Sequence, residues 1–246
     1  MVAGPNPLDR PAFYALRPGG WRDLLTLLHP PYTAWHLSYV ALGAAAAPKL
    51  HGDRLAATLL AFFLGVGVCA HALDELNGRP LRTLLSDGLL VGLAVVALAG
   101  AVAIGIVGAA TVSLGLVPLI AAGAFIVVAY NLELFGGWFH SSFWFAAAWG
   151  AFPALTAYWI NALELRLQGI LVAAGCFMLS LAQRRLSTPV RELRRHTVSV
   201  SGRQRLADGT TIELDAARLA APLDDALRAC ALALALLAAG LVIARL

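Results

Sequence analysis

Two stretches of the chain, Gly88 to Val107 and Val117 to Tyr130, contain no Lys, Arg, Asp or Glu. A helix needs about 20 mostly apolar residues to cross about 30 Å of hydrocarbon. Inside that layer only helices and closed barrels satisfy their own backbone. The rest of the chain follows the same pattern: 60% of residues are hydrophobic and 13% are charged, where a soluble domain carries about a quarter. The apolar surface is therefore expected to face lipid and neighbouring helices. The predicted fold is an all-α integral membrane bundle of about seven transmembrane helices, near residues 32–48, 54–72, 84–107, 110–131, 138–161, 165–183 and 225–245.

Four regions follow from this pattern. Residues 1–31 read as a cytoplasmic or interfacial N-terminal segment, with Trp21 to Leu28 as a short interfacial helix anchored by Trp21. This polar, Pro-rich stretch has no apolar core after a basic start, so a cleaved leader is not expected. Residues 32–183 form a six-span bundle. Residues 184–224 read as a cytoplasmic polar loop, and residues 225–246 as the seventh span. Within the loop, TVSVSGRQRLADGTTIEL alternates apolar and polar residues around Asp208-Gly209, which predicts a small β-hairpin. The hairpin reads either as a solvated ribbon or as a lid over a membrane-facing site.

The positive charge is almost all arginine, with Lys49 as the single lysine. With the N-terminus inside, the cytoplasmic side holds Arg10, Arg17, Arg22, Arg79, Arg82 and the run from Arg184 through Arg218. The outer side holds Lys49, Arg54, Arg166 and Arg245. This asymmetry predicts a cytoplasmic N-terminus in a prokaryotic plasma membrane. The net charge of +4 suits membrane lipids, and no nucleic-acid module is present, so nucleic acid is not an expected partner. Cys69, Cys176 and Cys230 lie in apolar segments without metal spacing and read as small buried hydrophobes.

That orientation gathers the ionisable groups at one set of helix ends. His36 opens the first span, and His71, Asp74 and Glu75 end the second. Asn131 and Glu133 close the fourth, His140 opens the fifth, and Arg184 and Arg185 follow the sixth. Ionisable groups at membrane depth are costly and are functional candidates by default. His71, Asp74 and Glu75 sit at i, i+3 and i+4 and share a helix face. Gly136 and Gly137 let Glu133 and His140 turn back toward that face. A divalent metal, Mg²⁺ or a transition metal, is expected at His71, Asp74, Glu75, Glu133, His140 and His36. His29, His51 and His196 read as surface groups.

The segments LLHPPYTAWHLSYVALGAAAAP, HALDELNGRPLRT and FWFAAAWGAFPALTAYWI together resemble the UbiA-type intramembrane prenyltransferases. The second is similar to that superfamily's first aspartate-rich motif. The resemblance implies a helical bundle whose cavity opens to lipid, with Mg²⁺ and an isoprenyl diphosphate at the cytoplasmic side. Asp74 matches a metal-binding carboxylate of the family. Its second aspartate motif would fall near residue 183, where this chain reads AQRRLSTPVRELRR. The leading expectation is a divergent UbiA-like membrane enzyme acting on an isoprenoid or other lipid substrate, prenyl transfer included. His71, Asp74 and Glu133 would be catalytic, and Arg79, Asn131, Arg184 and Arg185 would hold substrate. Two other readings stand beside it: a His/carboxylate metal-dependent membrane oxidase, hydroxylase or hydrolase, and a non-catalytic lipid-binding membrane protein.

Overall fold

The computed structural model describes residues 10–246, and the first nine residues of the predicted N-terminal segment lie outside the described residues. Eight helices and one two-stranded hairpin make up the described chain. Helix α1 is Trp21–Leu27 and α2 is Pro30–Ala46, which starts on two prolines where missing N–H groups cost nothing. Helix α3 is Gly52–Leu76 and contains a widened π-type stretch at Phe63–Ala70. Helix α4 is Asp87–Thr111, capped by the Ser86 hydroxyl, and α5 is Leu116–Asn131. Helix α6 covers residues 142–162, starts on a Ser141 cap and widens at Ala147–Ala151. Helix α7 is Leu167–Arg195 and α8 is Ala216–Ile243, capped by Asp215. Between α7 and α8 lie strands β1, Gly202–Arg205, and β2, Thr211–Leu214.

Helix α2 is central. It packs against α3, α6, α7 and α8, while α4 and α5 flank α3. The α2–α6 crossing is tight because Gly43 has no Cβ: one placed there would lie 2.0 Å from the Ala154 carbonyl oxygen. Small residues permit such backbone approach in apolar bundles. On the outside, Val95, Val96, Val107, Leu236 and Leu237 are exposed, and the most apolar window of α4 is only 17% buried. A water-soluble fold would not leave that surface open, so the all-α, membrane-like class holds.

The seven-span count does not hold. All seven expected segments contain helix, but four helices are long and apolar enough to cross a membrane: Gly52–Leu76, Asp87–Thr111, Leu167–Arg195 and Ala216–Ile243. Helix α5 has 16 residues and α2 has 17. At about 1.5 Å per residue they reach about 25 Å, short of the hydrocarbon thickness.

The region boundaries at 184–224 also change. Residues 184–195 continue α7 through Pro189 instead of forming a loop. Gln183, Ser187, Val190 and Arg194 are buried along that stretch. Their i, i+4, i+7, i+11 spacing makes one inward stripe, and this stabilises the helix despite its polar sequence. The last helix begins at Ala216, nine residues before the predicted start of the seventh span. The hairpin is present as expected, paired Gly202 with Leu214 through Arg205 with Thr211, and turning at Gly209 with φ +88°. Its strand residues are mostly exposed, as a solvated ribbon would be.

The N-terminal segment is more than a surface element. Helix α1 forms with Trp21 exposed, as expected. Ala12 and Ala15, however, are buried against Leu81. Arg194 and Arg195 donate to the backbone carbonyls of Arg10 and Pro11 at 3.2 and 3.3 Å, so residues 10–15 strap down onto α7.

Candidate functional site

A cavity of about 120 Å³ lies where the C-terminal ends of α3 and α5 meet the N-terminal ends of α2 and α6 and the polar half of α7. The strap residues Pro11 to Tyr14 also line it. Six of the predicted site residues reach it: His36, His71, Asp74, Asn131, His140 and Arg184.

The histidines share one arrangement. His36 donates from Nδ1 to the Trp149 carbonyl at 2.8 Å, and His71 from Nδ1 to the Gly67 carbonyl at 3.1 Å. His140 donates from Nδ1 to the Tyr130 carbonyl at 3.2 Å. A carbonyl only accepts, so each bond places the ring proton on Nδ1. Nε2 is left without a protein partner in all three rings among the described residues. Gly67 and Trp149 both sit in the widened stretches of α3 and α6. Such stretches disturb the regular i→i−4 ladder and recur at functional sites.

Asp74 lines the cavity, and its carboxylate has no hydrogen bond or ion pair among the described residues. Three cations of α7 face the same space: Arg184, Arg191 and Arg195. Arg184 donates to the Tyr130 hydroxyl at 2.6 Å and to Ser142 Oγ at 3.1 Å, and lies over the Phe145 ring. The neighbouring Arg194 is buried and ion-paired with Asp224 of α8 at 2.5 Å. That bond ties α8 to the cavity wall.

Four predicted site residues lie elsewhere. Glu75 is fully buried and lies outside the cavity lining, its carboxylate committed to the chain itself. Its Oε1 accepts from the Thr83 N–H and hydroxyl, and its Oε2 from the Leu81 N–H, all at 2.8 Å. It closes the turn after α3 by holding the donors of both residues. Arg79 points along that turn, bonded to the Leu85 carbonyl and to Asp87, and so is not free to hold substrate in the cavity. Glu133 is exposed on the α5–α6 turn, with Oε1 3.7 Å from His140 Nδ1. The turn winds through Glu133, Phe135, Gly136 and Gly137 in the left-handed region and carries the carboxylate outward. Arg185 is exposed on α7, one residue and about 100° around the helix from Arg184.

Other cavity residues were not legible beforehand. His29, expected at the surface, is buried and stacks on His71 with ring centroids 4.0 Å apart and planes 8° from parallel. Its Nδ1 lies 2.8 Å from the Tyr14 hydroxyl, and its Nε2 is buried without a partner among the described residues. Burial, reinforced by His71, Arg195, Arg191 and His36, holds the His29 imidazole well below its ordinary value. Burial likewise pushes the Tyr14 phenol up. Tyr14, Tyr32, Arg191, Arg195 and Asp224 also line the cavity. For the arginines the sequence carries one signal. Arg184, Arg191 and Arg195 stand at i, i+7 and i+11, which places them along one face of a helix.

Among the described residues no group of three or more His, Cys, Asp or Glu is arranged to hold one metal ion. The donor set suits a hard cation shared with a ligand's oxygens better than a closed protein cage. Mg²⁺ is commonly held by one or two carboxylates plus substrate phosphates, and Asp74 has that character. Compared with family models, curated proteins and solved structures, the chain finds no match, so the functional reading rests on this geometry.

Proposed function

We propose that this cavity binds the phosphate or diphosphate head of an isoprenoid or other lipid substrate, and that the chain is an integral membrane enzyme of UbiA-like type. The observation that carries the reading is the convergence of Arg184, Arg191 and Arg195 on the space that also holds the unpaired Asp74 carboxylate. Arginine forks suit phosphate oxygens. A half-buried carboxylate with no partner beside them is costly unless a cation joins it. A divalent ion shared by Asp74 and the phosphate would neutralise that charge.

The chain's own groups divide the work. Arg191 and Arg195 bind the head, while Arg184 is positioned by Tyr130 and Ser142 to meet charge developing on a departing phosphate. In prenyl transfer, the carbon–oxygen bond to diphosphate breaks and its electron pair leaves with the diphosphate. The acceptor then bonds to that carbon and loses a proton. Nε2 of His71, one helical turn from Asp74, serves as the base, its Nδ1 being committed to Gly67 as those of His36 and His140 are to their own carbonyls. The rings of Tyr130, Phe145 and Trp149 line the same space and suit a developing cation. The orientation inferred from the arginine asymmetry puts this end of the bundle in the cytoplasm.

The test is direct titration of the purified full chain with an isoprenyl diphosphate, with and without Mg²⁺. Binding should exceed that of the uncharged alcohol of equal chain length, and should fall roughly ten- to a hundredfold in Arg191→Gln. Equal binding of alcohol and diphosphate would overturn the proposal. A second reading, metal-dependent oxidation or hydrolysis of a lipid, is favoured by one observation. His36, His71 and His140 each anchor Nδ1 on a carbonyl, the outer-shell arrangement of metal-bound histidines. Tightly held iron, zinc or manganese in the purified protein would select it.

A further inference from the structure

A second and larger cavity, of about 470 Å³, lies between α3, α4, α5 and α6, toward the ends of those helices away from the polar site. Its walls include Ala61, Val66, Gly105, Ala124 and Phe152 and are nearly all apolar. Such walls offer water no hydrogen-bond partners. The cavity is open on one side, beside helices that expose Val95, Val107 and Val117, so the medium that reaches it is the one those side chains face.

Five polar side chains break the apolar lining: Asp53, Arg54, Thr58, Thr111 and Thr156. The Thr58 and Thr111 hydroxyls are spent on the Arg54 and Val107 carbonyls of their own helices, and the other three are ordered in depth. Asp53 and Arg54 stand at the mouth as adjacent opposite charges. Asp53 is exposed and has no ion pair among the described residues, and Arg54 is anchored through Nη1 to the Ile160 carbonyl at 2.8 Å. Thr156 lies one turn of α6 below Ile160, about 6 Å deeper. It is 8% exposed, and its hydroxyl is buried without a partner among the described residues. A threonine in a helix normally satisfies its hydroxyl on the preceding turn, as Thr58 does on the Arg54 carbonyl at 2.7 Å. Thr156 does not, and a buried hydroxyl left open in this way is costly.

We infer that this cavity is a binding site for one membrane phospholipid with a primary-ammonium headgroup. The phosphate sits on Arg54, the ammonium on Asp53, an ester carbonyl accepts from the Thr156 hydroxyl, and one acyl chain runs inward along α3 toward Val66. The order of polar groups with depth matches that of a glycerophospholipid: headgroup, ester, chain. From Asp53 to Val66 the helix rises about 20 Å, roughly two-thirds of a bilayer's hydrocarbon thickness. The paired opposite charges favour a zwitterion over a net anion. The ammonium must carry N–H donors to use the carboxylate, which disfavours a quaternary headgroup. This site shares the wall residue Val66 with the polar cavity but does not rest on the function proposed for it.

The full chain, reconstituted in nanodiscs of equal parts phosphatidylethanolamine, phosphatidylglycerol and phosphatidylcholine, then extracted into mild detergent and examined by native mass spectrometry, tests the inference. One phosphatidylethanolamine should remain per chain, in preference to the other two. Ala61→Phe fills the cavity and should abolish retention. Thr156→Val should lower it about two- to tenfold, while Thr156→Ser, which keeps the hydroxyl, should retain it. Asp53→Asn should reduce the preference over phosphatidylglycerol up to about fivefold. Equal retention of the three lipids, or retention unchanged by both Ala61→Phe and Thr156→Val, would overturn the site. Isoprenyl diphosphate binding should be unaffected by Thr156→Val, so failure of this inference and failure of the proposed function are separable.

Discussion

Glu75→Gln is predicted to destabilise the protein strongly while leaving the polar cavity's groups in place. Glu75 is fully buried and accepts three hydrogen bonds at 2.8 Å, two on Oε1 from Thr83 and one on Oε2 from Leu81. Glutamine keeps one acceptor oxygen and replaces the other with an NH₂ group. If the oxygen stays on Thr83, the new amide faces the Leu81 N–H, donor against donor. Losing one hydrogen bond to a charged group costs about 1.5–3 kcal/mol. The two surviving bonds fall from charge-assisted to neutral strength, roughly half. The sum is about 3–5 kcal/mol, a large share of the roughly 5–15 kcal/mol that holds a domain together. At about 2–4 °C per kcal/mol for a chain of this size, melting followed by tryptophan fluorescence in detergent should drop by roughly 10 °C. Asp74→Asn is the matched control. Asp74 has no hydrogen bond or ion pair among the described residues, so without added metal melting should not fall, while Mg²⁺-dependent diphosphate binding is lost. A Glu75→Gln protein melting within about 2 °C of the parent would refute the turn-closing role. So would a Glu75→Gln protein that loses ligand binding but not stability.

Three further outcomes are expected. His29 is held neutral in the fold, below its ordinary 6.5, so the unfolded chain binds the extra proton first. Stability should be full above about pH 6.5 and fall as the pH drops below it, and His29→Gln should flatten that slope in a pH series of melting curves. Gly43→Ala places a methyl 2.0 Å from the Ala154 carbonyl oxygen and should cost about 1–3 kcal/mol or more through separation of α2 and α6, read as lower melting with unchanged α-helical circular dichroism. Cysteines introduced at position 200 and after residue 246 flank α8, one of the four long apolar helices, and should label from opposite sides of the membrane. Labelling from the same side would remove α8 as a span.

Composition and hydropathy patterning determined the class of this protein. Uncharged runs such as Gly88 to Val107 can hide their backbone in lipid only as helices, so the all-α, membrane-like character needed no coordinates. The hairpin was equally local: Asp208-Gly209 supplies the turn, and φ +88° at Gly209 is the conformation a glycine allows. Site residues that share a helix end were legible for the same reason, since His71 and Asp74 are one turn apart whatever surrounds them. Which neighbouring carboxylate faces the cavity was not legible. Asp74 and Glu75 differ by about 100° around the helix, and only the return of residues 81–83 over the end of α3 gave Glu75 three donors and left Asp74 to the cavity. Burial of His29 depended on the strap at residues 10–15 folding back onto α7, a contact made across more than 180 residues of sequence. The extension of α7 through Pro189 likewise came from an inward face that packing stabilised against the local polarity of the sequence. Hydropathy is a property of a segment, and partners in space are a property of the whole chain; the polar cavity depends on the second.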